Sequence, residues 1–304
     1  MAKKDYLILI GAPKCGTTSM AAWLGSQPDM VLADQKETLY FTDFGNRSWS
    51  GPGSDFADQI PLGRDSFEAE FASNPDATLR VEASTDNLSC SVAADNIARF
   101  ADREGVGEIW VVALVRDPVA RIVSEYEHTL RLGWQSGNLL QSLQLEEKRI
   151  ADEWHPLFRH VHRSRYATQL ARYGELFGDR LRVMSFDSIR DGNERIKLLR
   201  WLGRYNDGTN YELEHLNQRE IYVRPNGKRY LDNGGFAEFA RAFVPKSLRP
   251  IIRRAIIGQP VGRYQPSGQE IDFIRNSLSD EINACVERPD IPTDSWTPSL
   301  FECT

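Results

Sequence analysis

The most constraining feature of this sequence is a glycine-rich loop close to the start of the chain. An uninterrupted apolar run, YLILI at 6–10, leads into GAPKCGTTS at 11–19, and residues 17–25 then follow a helical apolar spacing that stops at Gly25. Short continuous apolar runs are typical of buried parallel strands. A strand, a glycine turn and a helix in this order form the context in which such loops bind phosphate groups at the helix N-terminus.

The patterns further along the chain predict a doubly wound α/β fold. More strands are predicted at 31–32, 77–83, 109–115 and 181–186. Helices are predicted between them at 93–100, 118–128, 138–178 and 193–203, and a last helix at 271–286. Because strands that alternate with helices form parallel sheets, we expect a single domain over 1–304. Its three-layer α/β core, with the P-loop-like loop, would cover 1–203, and helical and irregular additions would cover 204–304.

Composition excludes several classes of protein. The chain has 304 residues, of which 41% are hydrophobic and 26% charged, as in ordinary soluble globular proteins. Its net charge of −6 argues against nucleic acid as a partner. The cysteines are far apart, without a CxxC pair, which argues against a disulfide framework or a zinc site. Neither a signal peptide nor an apolar run of membrane length is recognisable, so we expect a cytoplasmic protein.

The glycine loop departs from the kinase pattern G-x-x-x-x-G-K-[ST] in one respect. Gly11, Gly16 and Thr18 fit, but Thr17 occupies the lysine position and the lysine comes earlier, as Lys14. A kinase needs that lysine close to the transferring phosphate, together with Mg²⁺ on a strand-end aspartate. The backbone N–H groups at 15–19 can still hold an anion. The loop therefore suits a group with less charge than a triphosphate, such as a sulfuryl group bonded to a phosphate, with Lys14 neutralising the leaving phosphate.

A second motif, VVALVRDPVARIVSEYEH at 111–128, contains further phosphate-binding side chains. Asp117 is a suitable helix N-cap, and Pro118 falls at the first helical position. Arg116 offers a bidentate fork to phosphate, and Ser124 offers a hydroxyl donor.

The two motifs together resemble those of sulfotransferases that use 3′-phosphoadenosine 5′-phosphosulfate (PAPS). PKxGTT resembles the family's 5′-phosphosulfate loop, and residues 111–128 resemble its 3′-phosphate motif. The resemblance implies PAPS as the sulfuryl donor, 3′-phosphoadenosine 5′-phosphate (PAP) as the product, and no metal. It implies donor contacts at Lys14, Cys15, Gly16, Thr17, Thr18, Ser19, Arg116 and Ser124.

Two more segments are similar to the heparan-type branch of this family. NGKRY at 226–230 resembles its cofactor-covering loop, which implies donor contacts at Gly227, Lys228, Arg229 and Tyr230. The K-E-x-x-F-F context of its glutamate base is similar to KETLYF at 36–41. The resemblance implies Glu37 as the general base and Lys36 as a catalytic neighbour that holds negative charge.

Other bases are weaker candidates. The segment RVEASTDN at 80–87, where cytosolic small-molecule sulfotransferases carry a histidine, has none. Glu82 in this segment is the reserve candidate, and His128 comes third.

The acceptor is left open by the residues alone. The glutamate base and the NGKRY loop favour a hydroxyl of a carbohydrate or glycolipid-like acceptor. A phenolic or secondary-metabolite acceptor is the alternative, followed by an ATP- and Mg²⁺-dependent P-loop phosphotransferase and by a non-catalytic nucleotide-binding protein. Trp134, Trp154 and Tyr166 are candidates for an acceptor cleft, with helical core as the competing interpretation.

The segment 241–263 is basic. It contains no acidic residue, and its basic residues are Arg241, Lys246, Arg249, Arg253, Arg254 and Arg263. It would bind an acidic acceptor, contact the inner membrane face peripherally, or be an ordinary solvated surface.

Overall fold

Five parallel strands form the central sheet of the computed structural model. In chain order they are β1 (Lys4–Gly11), β2 (Met30–Leu32), β3 (Leu79–Glu82), β4 (Val106–Val115) and β5 (Leu181–Ser185). Their order across the sheet is β2-β3-β1-β4-β5, and every neighbouring pair is parallel. The structure describes residues 3–135, 137–206, 208–213, 221–222, 260–261, 263–297 and 300.

Nine α-helices lie in the part of the chain that the structure describes. They are α1 (Thr17–Gly25), α2 (Arg64–Ala69), α3 (Ala93–Ala101), α4 (Pro118–Arg131), α5 (Leu139–Gln144), α6 (Glu146–Ala151), α7 (Tyr166–Phe177), α8 (Gly192–Trp201) and α9 (Gly268–Val286). Two short strands, β6 (Ile221–Tyr222) and β7 (Pro260–Val261), pair antiparallel. None of the described helices is long and apolar enough to cross a membrane.

The sheet is buried on both faces, as its apolar runs predict. Residues 6–11 of β1 and 111–115 of β4 are all buried, because helices pack against the two sides of the sheet. The predicted three-layer doubly wound α/β fold is therefore confirmed. The strand predicted at 77–83 is shorter, at Leu79–Glu82, and the helical stretch predicted at 138–178 is divided into α5, α6 and α7.

The order of the strands creates a crevice at one edge of the sheet. β1 lies between β3 and β4, so the chain leaves β1 toward one side and later returns to its other side. In open α/β sheets, ligands bind where the strand order reverses, outside the carboxyl ends of the strands. The segments that follow β1, β3, β4 and β5 meet at this edge, and they contain both predicted phosphate motifs.

Candidate active site

A cleft of about 1310 Å³ occupies the carboxyl edge of the sheet. It brings together residues that are far apart in the chain. The predicted site residues that line it are Lys14, Gly16, Thr17, Thr18, Ser19, Glu37, Arg116 and Ser124.

The glycine loop leaves the N-terminus of α1 open toward the cleft. Gly16 is the N-cap residue, and among the described residues no side chain caps the helix and no acidic residue lies in its first turn. The first-turn N–H groups of Thr17 and Thr18, which a helix cannot pair internally, and the positive end of the helix dipole therefore lie at the cleft. Lys14, in a left-handed conformation with φ of 67°, precedes this turn. This arrangement can hold an anion.

Gly16 is required by its backbone conformation and by close neighbours. Its φ is 84°, in the left-handed region that favours glycine. A Cβ at this position would overlap Ile189 and would lie 3.2 Å from the ring of Phe186. The left-handed backbone and the close approach to the segment after β5 therefore both favour glycine at this position.

Cys15 faces the core rather than the cleft. Its backbone N–H donates to the carbonyl oxygen of Ala12 at 3.3 Å, and its Sγ lies 4.0 Å from the hydroxyl of Tyr166. Burial raises the pKa of the Cys15 thiol to about 11, so the thiol is neutral. Cys15 is not among the residues that line the described cleft, and its assignment as a donor contact stays a prediction.

Arg116 and Ser124 face the cleft from the β4–α4 junction. The Asp117 carboxylate caps α4 by accepting the N–H of Ala120 at 2.7 Å, as the sequence predicts. The Arg116 guanidinium lies 4.4 Å from the centre of the Phe186 ring, and its Nη1 approaches the carbonyl oxygen of Lys14 at 3.5 Å. Arg116 therefore connects its own motif with the glycine loop.

Sequence reasoning missed Phe186, Ile189 and Arg190, which line the cleft in the segment after β5. The Arg190 guanidinium lies 5.2 Å from the centre of the Phe186 ring, so the ring has a cation–π contact with Arg190 as well as with Arg116. The signal that could have found them is their position: residues directly after a parallel strand lie at the same edge as the glycine loop.

Glu37 is held in place on one side and accessible on the other. The backbone N–H of Thr85 donates to its Oε2 at 2.7 Å, and the Thr85 hydroxyl donates to the same oxygen at 3.2 Å. Lys36 pairs with Oε1 and also donates to the carbonyl oxygen of Ala83 at 3.1 Å. The Glu37 side chain is 41% exposed. A carboxylate oriented in this way at a cleft surface can accept a proton from a bound hydroxyl.

The two other candidate bases lie elsewhere. Glu82 is fully buried and does not line the described cleft. Burial raises its pKa to about 7, although hydrogen bonds from Ser84 and Thr38 oppose the shift. His128 lines the cleft one turn beyond Ser124 on α4, on the helix of the predicted 3′-phosphate motif.

A further wall of the cleft combines aromatic and polar groups. His155 Nδ1 accepts the N–H of Leu157 at 3.0 Å, and its ring lies 4.3 Å from that of Phe56. Burial, with a contribution from the charge of Arg163, lowers the pKa of His155 to about 3. The imidazole is therefore neutral, with its proton on Nε2. Arg163 pairs with Asp86 at 3.0 Å, and both line the same cleft.

None of the three aromatic residues proposed from the sequence lines the described cleft. Trp134 packs against His155 at 5.1 Å between ring centres, Trp154 packs against Phe158, and Tyr166 is fully buried near Trp296. Tyr166 is buried in helix α7, as the competing interpretation of helical core predicts, whereas Trp134 and Trp154 are half-buried and lie outside the helices.

Two predicted segments fall largely outside the described residues. Gly227, Lys228, Arg229 and Tyr230 are outside them, so their donor contacts stay predictions. Of the basic residues in the segment 241–263, the structure describes Arg263, which lines the cleft.

A parallel sheet in this order, with a P-loop-like loop at its carboxyl edge, matches a sulfotransferase fold. The crystal structure of a sulfotransferase from Alicyclobacillus acidocaldarius is similar to this chain, with a TM-score of 0.63 and 27% sequence identity. The match covers 70% of this chain and 87% of that one. No protein-family description and no curated protein matches the chain. The likeness supports a sulfotransferase family and sulfuryl transfer in general.

Proposed function

We propose that this protein transfers the sulfuryl group of PAPS to a hydroxyl of a carbohydrate or glycolipid-like acceptor. The observation that supports the proposal is the convergence on one cleft of the α1 N-terminus with Lys14, of Arg116 with Ser124, and of Glu37. This transfer requires groups that bind the two anionic ends of the donor and a carboxylate that accepts the proton of the acceptor hydroxyl.

The residues on the donor side fit a nucleotide with two anionic ends. The open first turn of α1 and Lys14 would hold the 5′-phosphosulfate, and Arg116 with Ser124 would hold the 3′-phosphate. Arg190 adds positive charge to the same side of the cleft. These groups belong to separate strand–helix junctions, as two separated phosphates demand.

The chemistry assigns one task to each residue. PAPS, when bound, supplies the sulfuryl group, and PAP leaves with the electron pair of the broken sulfur–oxygen bond. Glu37 accepts the proton of the acceptor hydroxyl as its oxygen bonds to sulfur. Lys14 neutralises the charge that develops on the leaving phosphate oxygen, and the N–H groups of Thr17 and Thr18 orient its other oxygens. By analogy with phosphoryl transfer, positioning and charge stabilisation supply most of the rate enhancement.

The wall formed by aromatic and polar groups supports an uncharged, ring-shaped acceptor. Phe56 offers a flat apolar face, the neutral His155 offers a donor at Nε2, and Gln59 lines the same cleft. The charge of Arg163 is balanced by Asp86 at 3.0 Å. Hydrogen-bonding groups next to an aromatic ring suit a saccharide, whereas a phenol would use the ring alone.

The proposal is tested with labelled PAPS and a panel of saccharides, glycolipids and phenols, comparing the wild type with Glu37→Gln. We expect the wild type to label a saccharide or glycolipid. The variant should keep its PAP affinity within about twofold and lose about 10²- to 10⁴-fold in turnover, the usual contribution of a general base.

Three results would contradict parts of this proposal. Unchanged turnover in Glu37→Gln would remove Glu37 from the mechanism. Labelling of phenols alone would move the acceptor to the alternative class. Absence of PAP binding together with Mg²⁺-dependent use of ATP would replace sulfuryl transfer by phosphoryl transfer.

A further inference from the structure

A buried carboxylate, Glu82, lies beneath the segment that contains Glu37. The hydroxyl of Thr38 donates to Glu82 Oε1 at 2.8 Å, and the backbone N–H of Ser84 donates to the same oxygen at 3.1 Å. The Ser84 hydroxyl also donates to Oε1, and Asn87 Nδ2 donates to Oε2 at 3.0 Å. Four donors therefore converge on a carboxylate that ends strand β3 and has no exposed surface.

These donors belong to the two segments that hold Glu37. Thr38 is its neighbour in the chain, and Ser84 precedes Thr85, whose N–H donates to Glu37 Oε2 at 2.7 Å. Ser84 also accepts the N–H of Leu39 through its Oγ at 2.7 Å. Glu82 therefore joins the segment that contains Glu37 to the segment that orients its carboxylate.

We propose that Glu82 is a positioning residue, which holds Glu37 at the cleft surface through Thr38 and Ser84. This inference rests on the proposed function in one respect, the role of Glu37 as the base. A buried carboxylate is costly unless hydrogen bonds compensate it, and an apolar side chain of similar volume would fill the space with less penalty. The presence of a carboxylate at position 82 is explained if Glu37 needs the geometry that Glu82 imposes on residues 37–39 and 84–87.

The proposal is tested with Glu82→Leu and Glu82→Gln. Leucine removes both oxygens that accept hydrogen bonds at position 82, whereas glutamine keeps one oxygen that can accept from Thr38 and Ser84. A misplaced base loses rate steeply, so we expect Glu82→Leu to lower kcat by about 10- to 100-fold. The KM for PAPS should stay within about twofold, and Glu82→Gln should have an intermediate kcat.

Gln27→Leu is a matched control for the loss of a buried polar group. Gln27 is buried, and its Nε2 donates to the carbonyl oxygen of Trp23 at 2.9 Å, while its Oε1 accepts the N–H of Asn210 at 3.0 Å. It does not line the described cleft. We expect Gln27→Leu to reduce thermal stability but to keep kcat within about twofold. A kcat loss in Gln27→Leu equal to that in Glu82→Leu would overturn the proposal.

Amide hydrogen exchange provides a readout that needs no substrate. In both Glu82 variants, the amides of Leu39 and Thr85 should exchange at least about tenfold faster than in the wild type, since local opening becomes easier. In Gln27→Leu they should exchange as in the wild type. If Glu82→Leu does not fold, Glu82→Gln decides alone.

The two proposals fail in different ways. If the wild type transfers no sulfuryl group to any acceptor, the proposed function fails, while the exchange of Leu39 and Thr85 still reports whether Glu82 holds this segment. Unchanged exchange at both amides, or unchanged kcat in folded Glu82→Leu, would refute the positioning role.

Discussion

Replacing Glu125 with glutamine perturbs a buried ion network that joins helix α4 to the segment beside Glu37. Glu125 is one residue beyond Ser124, and its carboxylate accepts hydrogen bonds from Arg121 at 3.0 Å, Arg163 at 2.5 Å and His160 at 2.9 Å. Arg163 in turn pairs with Asp86, next to Thr85. The network therefore connects the helix of the predicted 3′-phosphate motif with the support of the proposed base.

The expected loss of stability is large because the residues that pair with Glu125 are buried. Glu125, Arg121 and His160 have no exposed surface, and Arg163 is 2% exposed. Glutamine would leave Arg121 without its carboxylate partner and Arg163 with Asp86 alone. Removing one member of a buried ion pair typically costs about 3–5 kcal/mol, since the remaining charge is left uncompensated. We expect Glu125→Gln to lower the free energy of unfolding by this amount at pH 7.

Urea unfolding at 25 °C, followed by circular dichroism, measures this loss. Asp152→Asn is the control, because Asp152 pairs with Lys148 at 2.6 Å on the surface, where the side chains are 45% and 70% exposed. An exposed pair contributes less than about 1 kcal/mol. Equal losses in the two variants would show that the network does not stabilise the fold.

The pH dependence provides a second check. Burial would raise the pKa of Glu125, but the charges of Arg121 and Arg163 and the hydrogen bond from His160 outweigh it and hold the pKa well below its ordinary value of 4.5. The stabilisation is thus fully present above about pH 4.5 and is lost as the pH falls toward the folded-state pKa. The difference in the free energy of unfolding between the wild type and Glu125→Gln should become smaller from pH 7 to pH 3. A constant difference would refute the reasoning.

Two further predictions concern the donor side. Arg116→Ala should weaken the binding of PAP by about 10- to 100-fold, the value of a charge-assisted contact to phosphate, and should weaken the binding of adenosine 5′-monophosphate much less. If calorimetry finds that the affinities for both nucleotides fall equally, a role of Arg116 at the 3′-phosphate is contradicted. Gly16→Ala places a Cβ at a φ of 84° and against Ile189 and Phe186, so the melting temperature should fall and PAP affinity should be lost. A folded Gly16→Ala variant that binds PAP normally would show that the loop does not hold the nucleotide.

Much of the fold was predictable because its signals are local. The apolar run at 6–10 and the helical spacing at 17–25 correspond to β1 and α1, and Asp117 caps α4 as its position before Pro118 indicates. These features depend on neighbouring residues, so periodicity and capping chemistry suffice to find them. The order of the strands was not predictable in this way, since it depends on pairings between distant segments.

The candidate site shows the same division. The glycine loop and the Arg-Asp-Pro junction each follow a recognisable strand, so the sequence indicates both. Phe56 and His155 have no local motif, and they meet at 4.3 Å only because the chain returns to the same edge of the sheet. They were missed for this reason.

By itself, the sequence determined the parallel α/β architecture and predicted where anions would bind, because the period of apolar residues, the positions of glycines and the starts of helices are properties of short segments. It favoured Glu37 as the base through the resemblance of KETLYF and kept Glu82 in reserve, but it could not show which of the two carboxylates is exposed. Tertiary structure separated them: Glu82 is enclosed by four donors, and Glu37 stays 41% exposed at the cleft. Burial depends on the packing of the whole chain, so only the tertiary structure shows which of the two carboxylates is exposed.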